Sequence, residues 1–198
     1  MQISLIITTY NRPDALLIVL NSVEHQSLIP DEVIIADDGS NERTKKIIAD
    51  FTKKSELNII HSFQKDKGFR AALSRNRAIS KASNEYIVLI DGDMILHNNF
   101  IHDHFKNAQV GYFVQGSRVL LSENRTIEVI DGHKFIYHFF GKGLKNRKNA
   151  IHSNFLSLIF TINKNFLRGI KTCNVAFFKK DCISINGFNN EFEGWGKE

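Results

Sequence analysis

What most constrains this chain is an alternation that starts at its N-terminus: apolar runs of strand length, each followed by apolar residues at helical spacing. Residues 3–8 form a β-rich apolar run, and after Asn11, Arg12 and Pro13 come Leu16, Leu17, Leu20 and Val23 on one helix face. Proline suits the first helical turn, where its missing N–H costs nothing. Residues 32–36 predict a second strand, residues 37–40 a polar turn, and Ile47, Ile48 and Phe51 the buried stripe of a second helix. Residues 57–63, 69–82 and 86–90 then predict a third strand, a third helix rich in alanine and arginine, and a fourth strand. Such repetition builds an α/β fold, a Rossmann-like, mostly parallel sheet flanked by helices on both faces.

In sheets of this kind ligands gather beyond the carboxyl ends of the strands. Polar clusters fall there: Thr8, Thr9, Tyr10 and Asn11 after the first strand, Asp37 and Asp38 after the second, Asp91 and Asp93 after the fourth. They are expected to converge. The last cluster, in EYIVLIDGDMIL, ends a buried-looking strand in two carboxylates separated by Gly92. Like charges so close repel unless a cation or a set of donors neutralises them. Aspartates also cap turns and helices. The functional reading is a hard divalent cation, Mg²⁺ or Mn²⁺, held by one or two carboxylates and the oxygens of a diphosphate. Gly92 would let that diphosphate come close. Asp37 reads equally as a turn residue, and Asp38 as a hydrogen-bonding partner for a base or ribose. In KGFRAALSRNRA, Arg70 and Arg75 lie among alanines that imply close packing and suit phosphate neutralisation. Arg77 reads as a solvated surface residue.

The 198 residues and 42% hydrophobic content suit one domain with a real core, residues 1–97 forming a nucleotide-binding half and 98–198 an acceptor-side half. Past Asn98 a helix is predicted over 100–108 and a strand over 110–121; from 124 to 168 the pattern assigns no elements, and the segment reads either as an exposed helical insertion with a solvated basic face or as a binding loop for an acceptor or a lipid headgroup. Cys173 and Cys182 lack metal-type spacing and read as buried thiols of a reducing compartment. The net charge of +5 suits several anionic partners without choosing among them. The basic residues from Lys142 to Lys148 form one short cluster with no nucleic-acid-reading motif, so no nucleic-acid partner is expected. Apolar stretches fall short of the ~20 residues of a membrane span. A cytoplasmic protein is expected, at most attached to the inner face of a membrane.

The ordered blocks ISLIITTYNRP, VIIADDGS, KGFRAALSRNRAIS, EYIVLIDGDM and CNVAFFKKDCISINGFNNEFEGWGKE resemble those of family 2 glycosyltransferases of the GT-A fold. The final block is similar to the subgroup that includes chondroitin polymerase and related galactosyl- and N-acetylhexosaminyl-transferases. The resemblance implies an inverting, metal-dependent transferase moving a hexose or N-acetylhexosamine from a UDP-sugar to a glycan acceptor in bacterial surface polysaccharide synthesis. The donor site it implies takes in Thr9, Tyr10, Arg12, Asp38, Arg70, Arg75, Asp91, Gly92 and Asp93. Tyr10 and Asp38 would meet the uracil, Asp91 the ribose, and Asp93, assisted by Asp91, the Mn²⁺ or Mg²⁺.

In EFEGWGKE, Trp195 would be a platform for a sugar ring and Glu198 the visible member of an acidic pair that supplies the general base. The Asp that follows in similar enzymes is absent, so the natural chain is expected to continue beyond Glu198. A phosphatase of the haloacid dehalogenase type also carries D-x-D after an apolar strand, but near the start of its domain. A non-catalytic sugar-nucleotide or polysaccharide binding module is the more serious rival, separated by turnover of UDP-sugar.

Overall fold

The computed structural model describes residues 1–132, 138–161 and 170–194. The expected alternation is present: β1 (Ile3–Thr9), α1 (Pro13–Glu24), β2 (Glu32–Asp37), α2 (Glu42–Lys54), β3 (Ile59–Phe63), α3 (Ala71–Lys81) and β4 (Tyr86–Asp91). After them come α4 (Phe100–Asn107), β5 (Val114–Gln115), β6 (Leu120–Leu121), α5 (Glu123–Ile130), β7 (Leu144–Lys145), a 3-10 turn at Arg147–Ala150, α6 (Asn154–Phe160), β8 (Asn174–Phe178) and α7 (Lys179–Ser184). Two compact units result, one of Met1–Gln115 with Thr172–Glu198, the other of Gly116–Lys171.

The first unit holds a six-stranded sheet in the order β3-β2-β1-β4-β8-β5. β1 pairs in parallel with β2 and β4, and β2 with β3, while β8 runs antiparallel to both β4 and β5. Strand periodicity divides the core. Leu5, Ile7, Val33, Ile35, Val88 and Ile90 pack with Leu16, Val19, Leu20 and Val23 of α1 on one face. Ile6, Ile34, Ile87 and Leu89 pack with Ala78 and Ile79 of α3 on the other. Helices on both faces explain why these strands are apolar at successive positions instead of alternating. Each fully buried Leu or Ile contributes about 1.5–3 kcal/mol. The small residues Ala71, Ala72, Ser74 and Ala78 are buried on α3. Without bulk on that face the helix lies close to the sheet, which brings Arg75 to the strand ends.

Residues 110–121 do not form the single strand expected. Val114–Gln115 adds to the edge of the large sheet, whereas Leu120–Leu121 pairs antiparallel with β7 in a separate two-stranded ladder. A turn closed by the Tyr112 N–H on the Gln109 carbonyl, with Gly111 at φ +81, takes up the start of the run, where Val110, Tyr112 and Phe113 are exposed, and residues 116–119 between β5 and β6 are irregular. β8, which had no counterpart in the sequence reading, takes the place between β4 and β5. In the second unit Lys142, Lys145, Arg147 and Lys148 are solvated as expected. Cys173 and Cys182 are buried free thiols. No helix among the described residues is long and apolar enough to cross a membrane.

Candidate active site

Parallel register brings the polar clusters together. Thr8 lies opposite Asp91 on β4, and Thr9 lies opposite Asp37 on β2, so the carboxyl ends of three adjacent strands meet at one edge. Main-chain bonds fix the loops there: the Asp38 N–H donates to the Thr9 carbonyl (3.0 Å) and the Gly92 N–H to the Thr8 carbonyl (2.7 Å). Asn11 adopts a left-handed conformation, φ 51, and its Oδ1 accepts from the Asn41 N–H at 2.8 Å. This ties the β1–α1 loop to the start of α2. Arg12, the N-cap position of α1, is exposed and makes no side-chain bond with the described residues.

Asp37 and Asp38 have different roles. Asp37 is wholly buried and accepts from the N–H groups of Gly39 (3.2 Å) and Ser40 (2.7 Å) and from His61 Nε2 (2.8 Å). Burial alone would raise its pKa, but the bonds from His61 and Ser40 outweigh it, and the net shift is downward. Asp37 therefore holds the turn. Asp38 accepts from Gln64 Nε2 (2.5 Å) through one oxygen and from the Arg70 N–H (2.8 Å) through the other. Burial prevails here despite these bonds, and its pKa is raised. Thr9 Oγ1, Gln64 Oε1 and Arg70 Nε are buried without a hydrogen-bond partner, and all three belong to residues bonded to Asp38. Such a concentration of unmatched buried polar atoms is uncommon outside sites that receive a polar ligand or water.

Tyr10 is exposed, and its hydroxyl donates to Asp66 Oδ2 at 3.1 Å; this bond is the main cause of its raised pKa. Arg70 donates through Nη2 to the Lys65 carbonyl at 2.6 Å. Arg75, only 5% exposed, donates through Nε to Thr8 Oγ1 (3.3 Å) and through Nη2 to Asp91 Oδ1 (3.4 Å). Half of the charge problem posed by DGD is thus solved within the protein, since a guanidinium faces Asp91. Asp93 is exposed and has no hydrogen-bond or ion-pair partner among the described residues.

Gly92 meets a spatial demand different from the one expected. A Cβ there would lie 2.8 Å from the Thr8 carbonyl oxygen, 3.2 Å from Thr9 Cβ and 3.3 Å from Thr9 Oγ1. Strand β1 fills that space. Arg77 is exposed, as expected. Trp195 and Glu198 lie outside the described residues. The sequence reading missed His61, Gln64 and Asp66, although FQKDKGF is a polar cluster after the third strand, at the same sheet edge as the other three.

Among the described residues no cluster of three or more His, Cys, Asp or Glu side chains is arranged to hold a metal. A cation at this edge would rest on Asp93 and Asp91, carboxylate oxygens suited to Mg²⁺ or Mn²⁺ completed by water and diphosphate. Their oxygens suit such an ion by donor type, with Asp93 unpartnered among the described residues and Asp91 already facing Arg75.

The family model for Glycosyl transferase family 2 matches residues 4–169, and that for the N-terminal domain of galactosyltransferase matches residues 161–198. The hyaluronan synthase of Pasteurella multocida is 28% identical across 99% of this chain and 22% of its own length. For the chondroitin synthase of Escherichia coli the values are 29%, 99% and 31%. The chain thus spans less than a third of either relative. Among solved structures, a mannosyltransferase from Pyrobaculum calidifontis in complex with GDP-Man and Mn²⁺ superposes over 96% of this chain and 48% of its own, with a TM-score of 0.62 at 15% identity. At that identity the likeness speaks for the GT-A fold alone. Most of the chain lies within the first family match, with the sheet and the polar strand ends described above, and the chain belongs to glycosyl transferase family 2.

Proposed function

We propose that this chain is the donor-binding, transferring domain of an inverting glycosyltransferase that moves a hexose or N-acetylhexosamine from a UDP-sugar to a glycan hydroxyl in bacterial surface polysaccharide synthesis. The observation that carries the reading is the convergence of the β1, β2 and β4 ends, with Arg75 bonded to Asp91 there and Asp38 and Asp93 just beyond the ends of β2 and β4. UDP, rather than another nucleoside diphosphate, follows from the resemblance of the sequence blocks.

In this reading Tyr10 and Asp38 bind the base, with Thr9 and Arg12 beside them, and Arg70 and Arg75 lie near the base and phosphates. Asp91 meets the ribose, and Trp195 carries a sugar ring. Asp93, with Asp91, holds Mn²⁺ or Mg²⁺. When bound, that ion neutralises charge on the leaving diphosphate. The acceptor oxygen forms its bond to the anomeric carbon as the bond to UDP breaks, through an oxocarbenium-like transition state comparable to that of glycosidases. The hydroxyl proton passes to a base, for which Glu198 is the candidate, a contribution of about 10²- to 10⁴-fold.

Peripheral attachment to an anionic membrane face belongs to the same proposal. No Asp or Glu occurs between Asp131 and Asp181, and Phe155, Leu156 and Ile159 are exposed on α6. Sedimentation with phosphatidylglycerol vesicles, against phosphatidylcholine ones, tests it. For the central claim, UDP, GDP and four UDP-sugars (glucose, galactose, GlcNAc, GalNAc) are titrated with and without Mn²⁺. The natural full-length protein is then assayed for transfer. Absence of metal-dependent UDP binding overturns the reading, and binding without UDP release favours the non-catalytic module.

A further inference from the structure

We propose that Asn76 is a positioning residue: it fastens the C-terminal segment 187–194 to the donor-site helix, so that α3 sets the spacing between donor and acceptor. The inference rests on the function proposed above. Arg75 and Asn76 are consecutive on α3, and successive helical residues point about 100° apart. Arg75 reaches the strand ends at Thr8 and Asp91. Asn76 reaches the returning chain.

The Asn76 amide makes three bonds there. Its Nδ2 donates to the Phe188 carbonyl and to Asn190 Oδ1, both at 2.7 Å, and its Oδ1 accepts from the Phe188 N–H at 3.0 Å. One side chain thereby satisfies both main-chain polar groups of Phe188, which an amide can do because it carries donor and acceptor side by side. The partner strand of residues is shaped for this approach. Asn186 and Gly187 both take left-handed conformations, φ 64 and φ 68, and a Cβ on Gly187 would lie 2.5 Å from Asn76 Oδ1.

A second fastening lies at the other end of the segment, where the Gly194 N–H donates to the Phe69 carbonyl at 3.2 Å. Between the two, the Phe188 ring centre lies 5.8 Å from the Arg75 guanidinium carbon, inside the range of a cation–π contact. The segment GFNNEFEG is thus held at both ends by α3 and the residue two before it. In the chain it leads directly into WGKE, which carries Trp195 and Glu198. The bonds of Asp38 and Arg70 involve neither Asn76 nor residues 187–194, so loosening the clasp should free the segment that leads into WGKE without breaking them.

The test compares Asn76→Ala, Asn76→Asp and Gly187→Ala with wild type in the natural full-length protein. Calorimetry measures UDP affinity with Mn²⁺, and steady-state assays follow sugar transfer to hyaluronan and chondroitin oligosaccharides, with hydrolysis of the UDP-sugar by water measured in parallel. A misplacement of about 1 Å can cost about a hundredfold in rate. The expected result is UDP affinity within about twofold of wild type, transfer efficiency lower by about ten- to a hundredfold, and a larger fraction of UDP released through hydrolysis. Asn76→Asp retains an acceptor for the Phe188 N–H but sets a carboxylate oxygen against the Phe188 carbonyl, so it should be at least as severe as Asn76→Ala. Should Asn76→Ala fail to fold, Asn76→Asp and Gly187→Ala carry the same comparison. Wild-type transfer in the folded variants, or loss of UDP affinity in proportion to transfer, overturns the positioning role. A wild-type protein that neither binds UDP nor transfers sugar instead overturns the functional reading beneath it.

Discussion

Replacing Gly92 by alanine separates two explanations for the glycine in DGD. If the glycine gives a diphosphate room, the variant folds as well as wild type and loses UDP. The structure predicts the opposite order of effects. Gly92 is not among the glycines with positive φ, so its backbone suits alanine, and the demand is purely one of space. The new methyl carbon would lie 2.8 Å from the Thr8 carbonyl oxygen, an atom fixed within the sheet and already accepting from the Gly92 N–H. Forcing an extra carbon into a packed site costs about 1–3 kcal/mol. Removing a glycine from the unfolded chain returns about 0.4–1 kcal/mol. The net loss is up to about 2.6 kcal/mol and about 1.3 kcal/mol at mid-range, a fall in Tm of about 3–5 °C at mid-range for a chain of this size. Urea unfolding with and without saturating UDP and Mn²⁺ measures it. Unchanged stability with abolished UDP binding would refute the packing argument and restore the diphosphate-clearance explanation.

Asp93→Asn should leave stability within about 0.5 kcal/mol of wild type, because the side chain is exposed and unpartnered among the described residues, yet abolish metal-dependent UDP binding. Calorimetry showing undiminished binding would remove Asp93 from the site. Arg70→Ala should weaken UDP-sugar binding by about 1.5–3 kcal/mol, the range for bonds to charged groups, while Arg77→Ala does little; equal losses would indicate general electrostatics. Asp37 has a folded pKa below its ordinary value, so its contribution to stability is present above about pH 4 and disappears as pH falls through the lower folded value. The stability gap between wild type and Asp37→Asn should therefore stay constant above about pH 5 and shrink as pH falls below about 4, and a gap that stays constant on acidification would contradict the assignment.

The first half of the fold was legible because its information is local. Leu16, Leu20 and Val23 recur at helical spacing, and residues 3–8, 32–36 and 86–90 are continuous apolar runs, as strands buried on both faces must be. β8 was not legible. Asn174–Phe178 pairs with β4 across more than eighty residues of chain, and no local period announces such a partner. Residues 110–121 misled for the related reason that Val110, Tyr112 and Phe113 have strand-forming side chains in an exposed turn. At the site, aspartates at strand ends were visible as charges without their partners. That Asp37 closes a turn while Asp38 is held by Gln64 and the Arg70 N–H depends on distances between loops, which only the folded chain supplies.

The two carboxylates of DGD also differ in what surrounds them, and that difference has a thermodynamic consequence. A guanidinium as buried as that of Arg75 needs a counter-charge, and Asp91 supplies it at 3.4 Å. Pairing Arg75 with Asp91 cancels one positive charge against one negative, leaving Asp93 as the uncompensated carboxylate of the motif. One carboxylate at an exposed position is a weak site for Mg²⁺ or Mn²⁺, which bind such proteins chiefly through one or two carboxylates and substrate phosphates. The diphosphate of UDP would add the missing negative charge. Metal and nucleotide should therefore bind with positive coupling: each raises the affinity of the other by the same factor, because linkage between two binding equilibria is reciprocal. Calorimetric titration of Mn²⁺ alone, UDP alone, and each in the presence of the other tests this, with a coupling of at least about fivefold expected, the lower end of the usual range. Arg75→Met should then strengthen the binding of Mn²⁺ alone, since Asp91 would lose its internal cation. Mn²⁺ binding equally tightly with and without UDP would show that the protein itself completes the site, and that Arg75 does not hold Asp91 back from the metal.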